Sequence, residues 1–323
     1  MSKIKPEGTA FQIDHSYRYP ERKNTFLMNI RQRPLLYFMA IPIIVYYVVF
    51  HYIPMLGIAI GFQNFLPAKG FLNSEWVGLD QFTRFFHSMN FERLVRNTFL
   101  ISFYDLLFGF PMPVLFALLL NEVKNTKFKK VTQTITYMPH FISLVVICGL
   151  IYTFTKSNSP LAQLVATLTG NKSENLLSNA KYFRTIYVVS GIWQGFGWGS
   201  IIYFAALSGV DPALYEASYL DGAGRFQQVI HVTLPSIAPT IIIMLILRIG
   251  SLMSVGHEKI ILLYSPITYE TSDVISSYVY RSGLREMNYS YGTAVGLLNS
   301  VINLVLVLGA NWISRRVTET SLW

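Results

Sequence analysis

Long stretches of this chain carry no Asp, Glu, Lys or Arg. They run over 34–68, 131–155, 185–210, 226–247 and 287–314, and one more, 97–121, holds only Asp105. A helix crosses the hydrocarbon core of a bilayer with about 20 apolar residues at about 1.5 Å rise each. The pattern therefore predicts six transmembrane spans, at about 35–60, 95–120, 132–155, 184–208, 236–257 and 291–313. Soluble helices of this length would show a charged face. The expected fold class is an all-α polytopic membrane protein, with a basic tail over 1–33 and a membrane domain over 34–323. Pro34 suits the start of a helix, where its missing N–H is no loss. Pro42 and Pro54 in the first span, and Pro111 and Pro113 in the second, predict kinks or breaks.

The segment between the fourth and fifth spans, 209–235, has too much local signal to be a plain connector. Asp211-Pro212 reads as an N-cap followed by proline in the first helical turn. Ala213 to Asp221 then reads as a short helix, and Gly222 and Gly224 can take the positive φ that ends it. Arg225 to Thr233 reads as a second short helix stopped by Pro235. A helix, a glycine corner and a second helix at one membrane face form a shape suited to docking on a soluble partner.

Composition agrees with the pattern. Of 323 residues, 52% are hydrophobic and 13% charged, whereas an average soluble domain carries about 25% charge. These figures exclude a disordered chain, a coiled coil and an ordinary cytosolic enzyme. The net charge of +9 reads as topology. Arg31 and Arg33 precede the first span, Lys124, Lys127, Lys129 and Lys130 lie between the second and third, and Arg315 and Arg316 follow the sixth. Basic residues in short segments mark the cytoplasmic side, so both termini are expected there. Residues 1–33 lack the short apolar core of a secretory signal, so the first apolar stretch is expected to remain as a span. The single cysteine, Cys148, lies in an apolar span and reads as packing.

The loop has a recognisable spacing. Glu216-Ala217-Ser218, three residues, Gly222, nine residues, Val232, one residue, and Leu234-Pro235 resembles the EAA loop of bacterial ABC importer permeases. It departs from that pattern at Ser218, where the family has Ala, and at Val232, where it has Ile. Trp76 to Phe82, Arg96-Asn97-Thr98, Ala205-Ala206-Leu207 and Asp211 to Glu216 are similar to the maltose-type sugar permeases. Tyr269 to Ile275, Tyr278 to Arg281 and the ending Ser321-Leu322-Trp323 look like the polysaccharide and oligosaccharide branch of that group.

The resemblance implies a permease subunit of a bacterial sugar ABC importer. Its substrates would be oligosaccharides, with acidic ones such as alginate or pectin fragments among them. It implies a location in the bacterial cytoplasmic membrane, a second permease subunit as heterodimeric partner, two ATP-binding subunits and an extracytoplasmic solute-binding protein. The chain has no G-x-x-x-x-G-K-[ST] phosphate loop. No enzyme activity and no cofactor are therefore expected on this chain, with ATP and Mg held by the partner ATPase. The coupling residues are expected to be Glu216, Ala217, Ser218, Asp221, Gly222, Gly224, Leu234 and Pro235. A permease for another solute remains as an alternative, as does an ion-driven secondary transporter. The latter would usually show inverted repeats.

Polar groups inside spans are candidates for the substrate path. Asp105 and Arg248 can pair with each other. Alternatively, Arg248 can face a cavity and hold a sugar carboxylate in a two-point contact. Trp193, Gln194 and Trp198 lie among Gly191, Gly195, Gly197 and Gly199. The small residues permit close helix packing, or they make room for a tryptophan to stack on a sugar ring. Asn299 and Asn303 share one face of the sixth span and can line the path or bridge helices. His51, His87, His140, His231 and His257 show no paired spacing for a metal.

Overall fold

The computed structural model describes residues 34–170, 172–318 and 321–322, so the basic tail over 1–33 and Trp323 lie outside the described residues. The chain divides into two units, Met1–Gly57 and Ile58–Trp323. In the first, α1 (Pro34–Tyr47) has no buried residue, and Phe38, Ile43 and Ile44 are exposed, as lipid-facing side chains would be.

The second unit is almost entirely helical. A two-residue antiparallel ladder pairs β1 (Gln63–Asn64) with β2 (Glu75–Trp76). The helices that follow are α2 (Asp80–Phe86), α3 (Phe91–Tyr104), α4 (Pro111–Asn121), α5 (Thr126–Tyr137), α6 (Leu144–Thr155), α7 (Pro160–Thr169), α8 (Ala180–Gly199), α9 (Ile201–Ser208), α10 (Pro212–Leu220), α11 (Arg225–Gln228) and α12 (Leu234–Gly250). Then come α13 (His257–Leu263), α14 (Tyr269–Ser272), α15 (Ile275–Val279) and α16 (Tyr289–Val317).

Short polar side chains set many of the helix starts. Asn125 accepts from the Lys127 and Phe128 amides, and Ser159 from the Ala162 amide ahead of Pro160. Each satisfies donors that a first turn leaves unpaired.

Among the described residues, four continuous helical stretches are long and apolar enough to cross a membrane: Pro34–Phe62, Phe91–Asn121, Arg225–Gly250 and Tyr289–Val317. The expected third span, 132–155, is not straight. Thr126–Phe141 and Leu144–Thr155 meet at 99°, because Pro139 tightens the chain into a 3-10 turn and Ser143 caps a new helix by accepting from the Val146 amide. The stretch expected as a fourth span forms α8 and α9, which abut at Ser200.

At three prolines the helix runs on through a widened turn. Pro235 does not stop the helix begun at Arg225, which runs on to Gly250. The turn before it, Val229–Thr233, widens to π geometry, and the Leu234 amide donates to the Val229 carbonyl. Asp105–Gly109 widens in the same way ahead of Pro111, with the Phe110 amide on the Asp105 carbonyl. Val48–Tyr52 does so ahead of Pro54, with the Ile53 amide on the Val48 carbonyl. A proline ring crowds the carbonyl four residues earlier and offers no N–H. A five-residue turn relieves both problems without breaking the rod.

Three apolar clusters bind the second unit. Ile101, Ile147, Phe183, Ile260 and Val274 join α3, α6, α8 and α13. Phe85, Leu94, Ile275, Tyr291 and Val295 join α2, α3, α15 and α16. Val114, Leu118, Tyr203, Leu207 and Ile237 join α4, α9 and α12.

Candidate functional site

Beside the first of these clusters, bordered by its Ile101 and Val255, lies a polar cavity of about 300 Å³, walled in part by Ser102, Asp105, Gln194, Arg248, Ser254 and Lys259. The π turn before Pro111 carries Asp105, and α12 carries Arg248; the two form an ion pair. Of the readings open from sequence, pairing is thus the arrangement present. Gln194 reaches the same wall from α8. Such π turns recur at functional sites because they aim one side chain out of helical register.

The sequence reading missed Lys259. It sits on α13, a short helix between the expected fifth and sixth spans, and is 8% exposed. Its Nζ donates to the Tyr187 carbonyl at 3.0 Å and lies 4.7 Å from the centre of the Tyr187 ring. Burial pushes its ammonium down to about 8, against a smaller upward pull from Cys148. A lysine in a sequence loop looks solvated; only the packing of α13 on α6, with Ile260 and Leu263 beside Ile147 and Cys148, brings it in.

The other path candidates lie elsewhere. Trp193 lines an apolar groove of about 520 Å³ with Ile147, Phe154 and Val189. Trp198 stacks flat on His140, centroids 4.7 Å apart. Asn303 bridges helices: its Oδ1 accepts from the Met253 amide at 2.9 Å, and its Nδ2 donates to Ser254 Oγ at 2.8 Å. The Asn299 oxygen is buried and accepts no hydrogen bond among the described residues. Gly197 serves close approach, since a Cβ there would run into the Thr136 backbone.

A second charge cluster joins two motifs far apart in sequence. Asp273 is fully buried and pairs with Arg281 at 2.7 Å and Arg93 at 3.3 Å. Ser277 Oγ donates to it at 2.8 Å. Asn97 Nδ2 donates to the Asp273 carbonyl at 2.9 Å, and Asn97 Oδ1 accepts from Arg184 at 2.8 Å. Thr98 Oγ1 accepts from the Ile275 amide at 3.0 Å. Hydrogen bonds and attraction from Asp273 outweigh the burial that disfavours charge on Arg281 and hold its guanidinium above its ordinary pKa. Asn97-Thr98 and the 269–281 segment are therefore one structural knot.

At the 209–235 loop, the Asp211 carboxylate accepts from the Ala213 amide at 2.9 Å. Gly222 has φ +80, which costs any other residue about 1 kcal/mol or more. Its N–H donates to the Tyr219 carbonyl and that of Ala223 to the Ser218 carbonyl, a Schellman closure. The Gly224 amide is capped by Gln227 Oε1 at 2.8 Å. Ser218 Oγ accepts from Gln228 Nε2 at 3.1 Å, and Tyr215 meets Thr233 at 3.0 Å. These bonds fasten α10 to the helix that continues into α12. Leu234 and Pro235 start α12 itself. Glu216, Ala217 and Asp221 are exposed, as are Tyr219, Leu220 and Phe226.

Residues 85–319 match the family described as binding-protein-dependent transport system inner membrane component. The chain is 41% identical over 300 residues to Protein LplB of Bacillus subtilis (strain 168), covering 93% of this chain and 94% of that one. It is 39% identical over 317 residues to the polygalacturonan/rhamnogalacturonan transport system permease protein YteP of the same organism, covering 98% and 99%. Among solved structures, it is similar to a chain of a bacterial ABC transporter involved in the import of the acidic polysaccharide alginate. The TM-score is 0.83 at 43% identity, over 91% of this chain and 99% of that one. The same likeness holds to that transporter in complex with an alginate pentasaccharide-bound periplasmic protein.

Proposed function

The chain belongs to the binding-protein-dependent transport system inner membrane components, and on that premise we propose that it forms the translocation path of an ATP-driven importer for oligosaccharides, acidic ones such as alginate or pectin fragments included. The observation that carries this is the polar cavity holding Asp105, Gln194 and Arg248 among apolar helices. Serine hydroxyls and a side-chain amide suit sugar hydroxyls, and spans otherwise exclude such groups because they are costly in lipid. Relatives named for polygalacturonan transport and alginate import support the substrate class.

Six spans with both termini cytoplasmic place the 209–235 loop on the cytoplasmic side. There α10 acts as the coupling helix. Its exposed Tyr219 and Leu220, with Phe226 of α11, give the loop an apolar face for a groove on the ATPase, and Glu216 and Asp221 offer charge to basic partners. The Ser218–Gln228 and Tyr215–Thr233 bonds make the loop rigid, so motion of a separate ATP- and Mg-holding subunit reaches α12. A second permease subunit and an extracytoplasmic binding protein complete the complex.

Gly222→Trp tests the coupling role. In the reconstituted complex it should keep assembly while binding-protein-stimulated uptake falls by about tenfold or more, since a bulky side chain at positive φ displaces the corner. Full uptake by a well-assembled Gly222→Trp complex would sink this role.

A further inference from the structure

The cavity's charges do not balance. Among the described residues Asp105 is its one carboxylate, and it already pairs with Arg248. Lys259 then remains on the wall with no second carboxylate among the lining residues to pair with it. It is more than nine-tenths buried, and a buried charge without a partner is costly. An ammonium has three N–H donors, and the Tyr187 carbonyl takes one. The ring of Tyr187 covers another side. Gly191 opens the approach, since a Cβ there would lie 3.4 Å from Nζ.

We propose that Lys259, and not Arg248, is the group that reads a carboxylate on the passing saccharide. The Arg248–Asp105 pair acts as a near-neutral partner that orders hydroxyls. This assignment rests on the oligosaccharide reading above and sharpens its substrate class to uronate-containing chains. A carboxylate entering the cavity supplies the missing negative charge and forms a charge-assisted hydrogen bond to the ammonium. A neutral sugar leaves Lys259 as it was and gains nothing from it.

The test uses the full complex in proteoliposomes, with ATP inside and saturating binding protein. The probes are an oligogalacturonide and its methyl ester, the same chain with its charge masked. Lys259→Met should cut acidic uptake by about tenfold or more and change ester uptake by less than about twofold. Lys259→Arg should restore most of the acidic uptake. Wild-type preference for the acid should also fall as pH rises from 7 to 9, because Lys259 loses its proton near 8.

The ionisable groups around Lys259 are Cys148 of α6, Tyr187 of α8, and Asp105 and Arg248 on the cavity wall, with His257 and Glu258 its chain neighbours on α13. The profile is therefore repeated in Cys148→Ala, which removes the thiol. Lys259→Arg should stay flat over this range. Equal losses of acid and ester in Lys259→Met would overturn the proposal and make Lys259 a strut for the Tyr187 carbonyl. So would a wild-type preference that ignores pH, a reading that stands even if Lys259→Met fails to assemble. A wild-type complex that carries neither probe, with or without charge, would overturn the oligosaccharide reading itself, and this assignment with it.

Discussion

Asp273 and Asp105 are both carboxylates paired with arginine in the interior of a largely apolar chain, yet they are built to different ends. Asp273 is fully covered, has two arginines and a serine hydroxyl, and ties α3 to the 269–281 segment. Asp105 has one arginine, and the two side chains are 23% and 49% exposed, towards a cavity that also holds Lys259. The first cluster packs two guanidiniums and a hydroxyl around one fully buried carboxylate. The second keeps open space beside its ion pair, with Lys259 on the same wall. Burial of charge alone does not mark a functional site; an unfilled hydrogen-bonding capacity beside a cavity does.

The largest expected effect lies at the closed cluster. Asp273→Ala leaves Arg281 and Arg93 facing each other without a counter-charge, a loss of about 3–5 kcal/mol. It should show as a large drop in the thermal unfolding temperature and in yield of the detergent-purified complex. If Asp273→Ala is as stable as wild type, the contrast collapses.

Next is the open pair. Arg248→Gln should cost only about 1–2 kcal/mol, between an exposed and a buried pair, because both partners are partly solvated, and should lower transport of acidic and neutral probes alike. Adding Asp105→Asn should recover part of the stability by removing the unpaired carboxylate, as a double-mutant cycle reads directly. Loss confined to the acidic probe in Arg248→Gln would return the carboxylate contact to Arg248.

The smallest effect belongs to Ser277→Ala. It removes one hydrogen bond to Asp273 and the acceptor of the Val274 amide, a cost of about 1 kcal/mol. Unfolding of that variant should shift by a few degrees with transport per assembled complex unchanged.

Much of this was legible in the sequence. The charge-free stretches located the long helices. The Asp211-Pro212 cap and the Gly222 corner were readable because caps and positive φ depend on a few adjacent residues. Pairing of Asp105 with Arg248 was among the readings open from sequence. What escaped depends on contacts across the chain or on how a helix absorbs strain. The proline positions were plain, with a kink or break expected at Pro54 and Pro111 and a stop at Pro235, but the form taken at all three was a widened turn within a continuing helix. The bend after Phe141 needed knowledge of how Pro139 and Ser143 combine. Lys259 looked like a loop cation until α13 packed it against α6 and α8. Asn97 and Asp273 were each noted inside a separate motif, and their meeting follows from tertiary packing alone.

The central claim is that this chain lets an ATPase drive oligosaccharides across the membrane. It is tested most directly by accumulation of labelled oligogalacturonide in proteoliposomes. These would hold this chain, its partner permease and the ATPase subunits, with binding protein on the opposite side. The account predicts uptake that needs both ATP and the binding protein and is indifferent to collapse of ion gradients. Uptake driven by an ion gradient without ATP would contradict it.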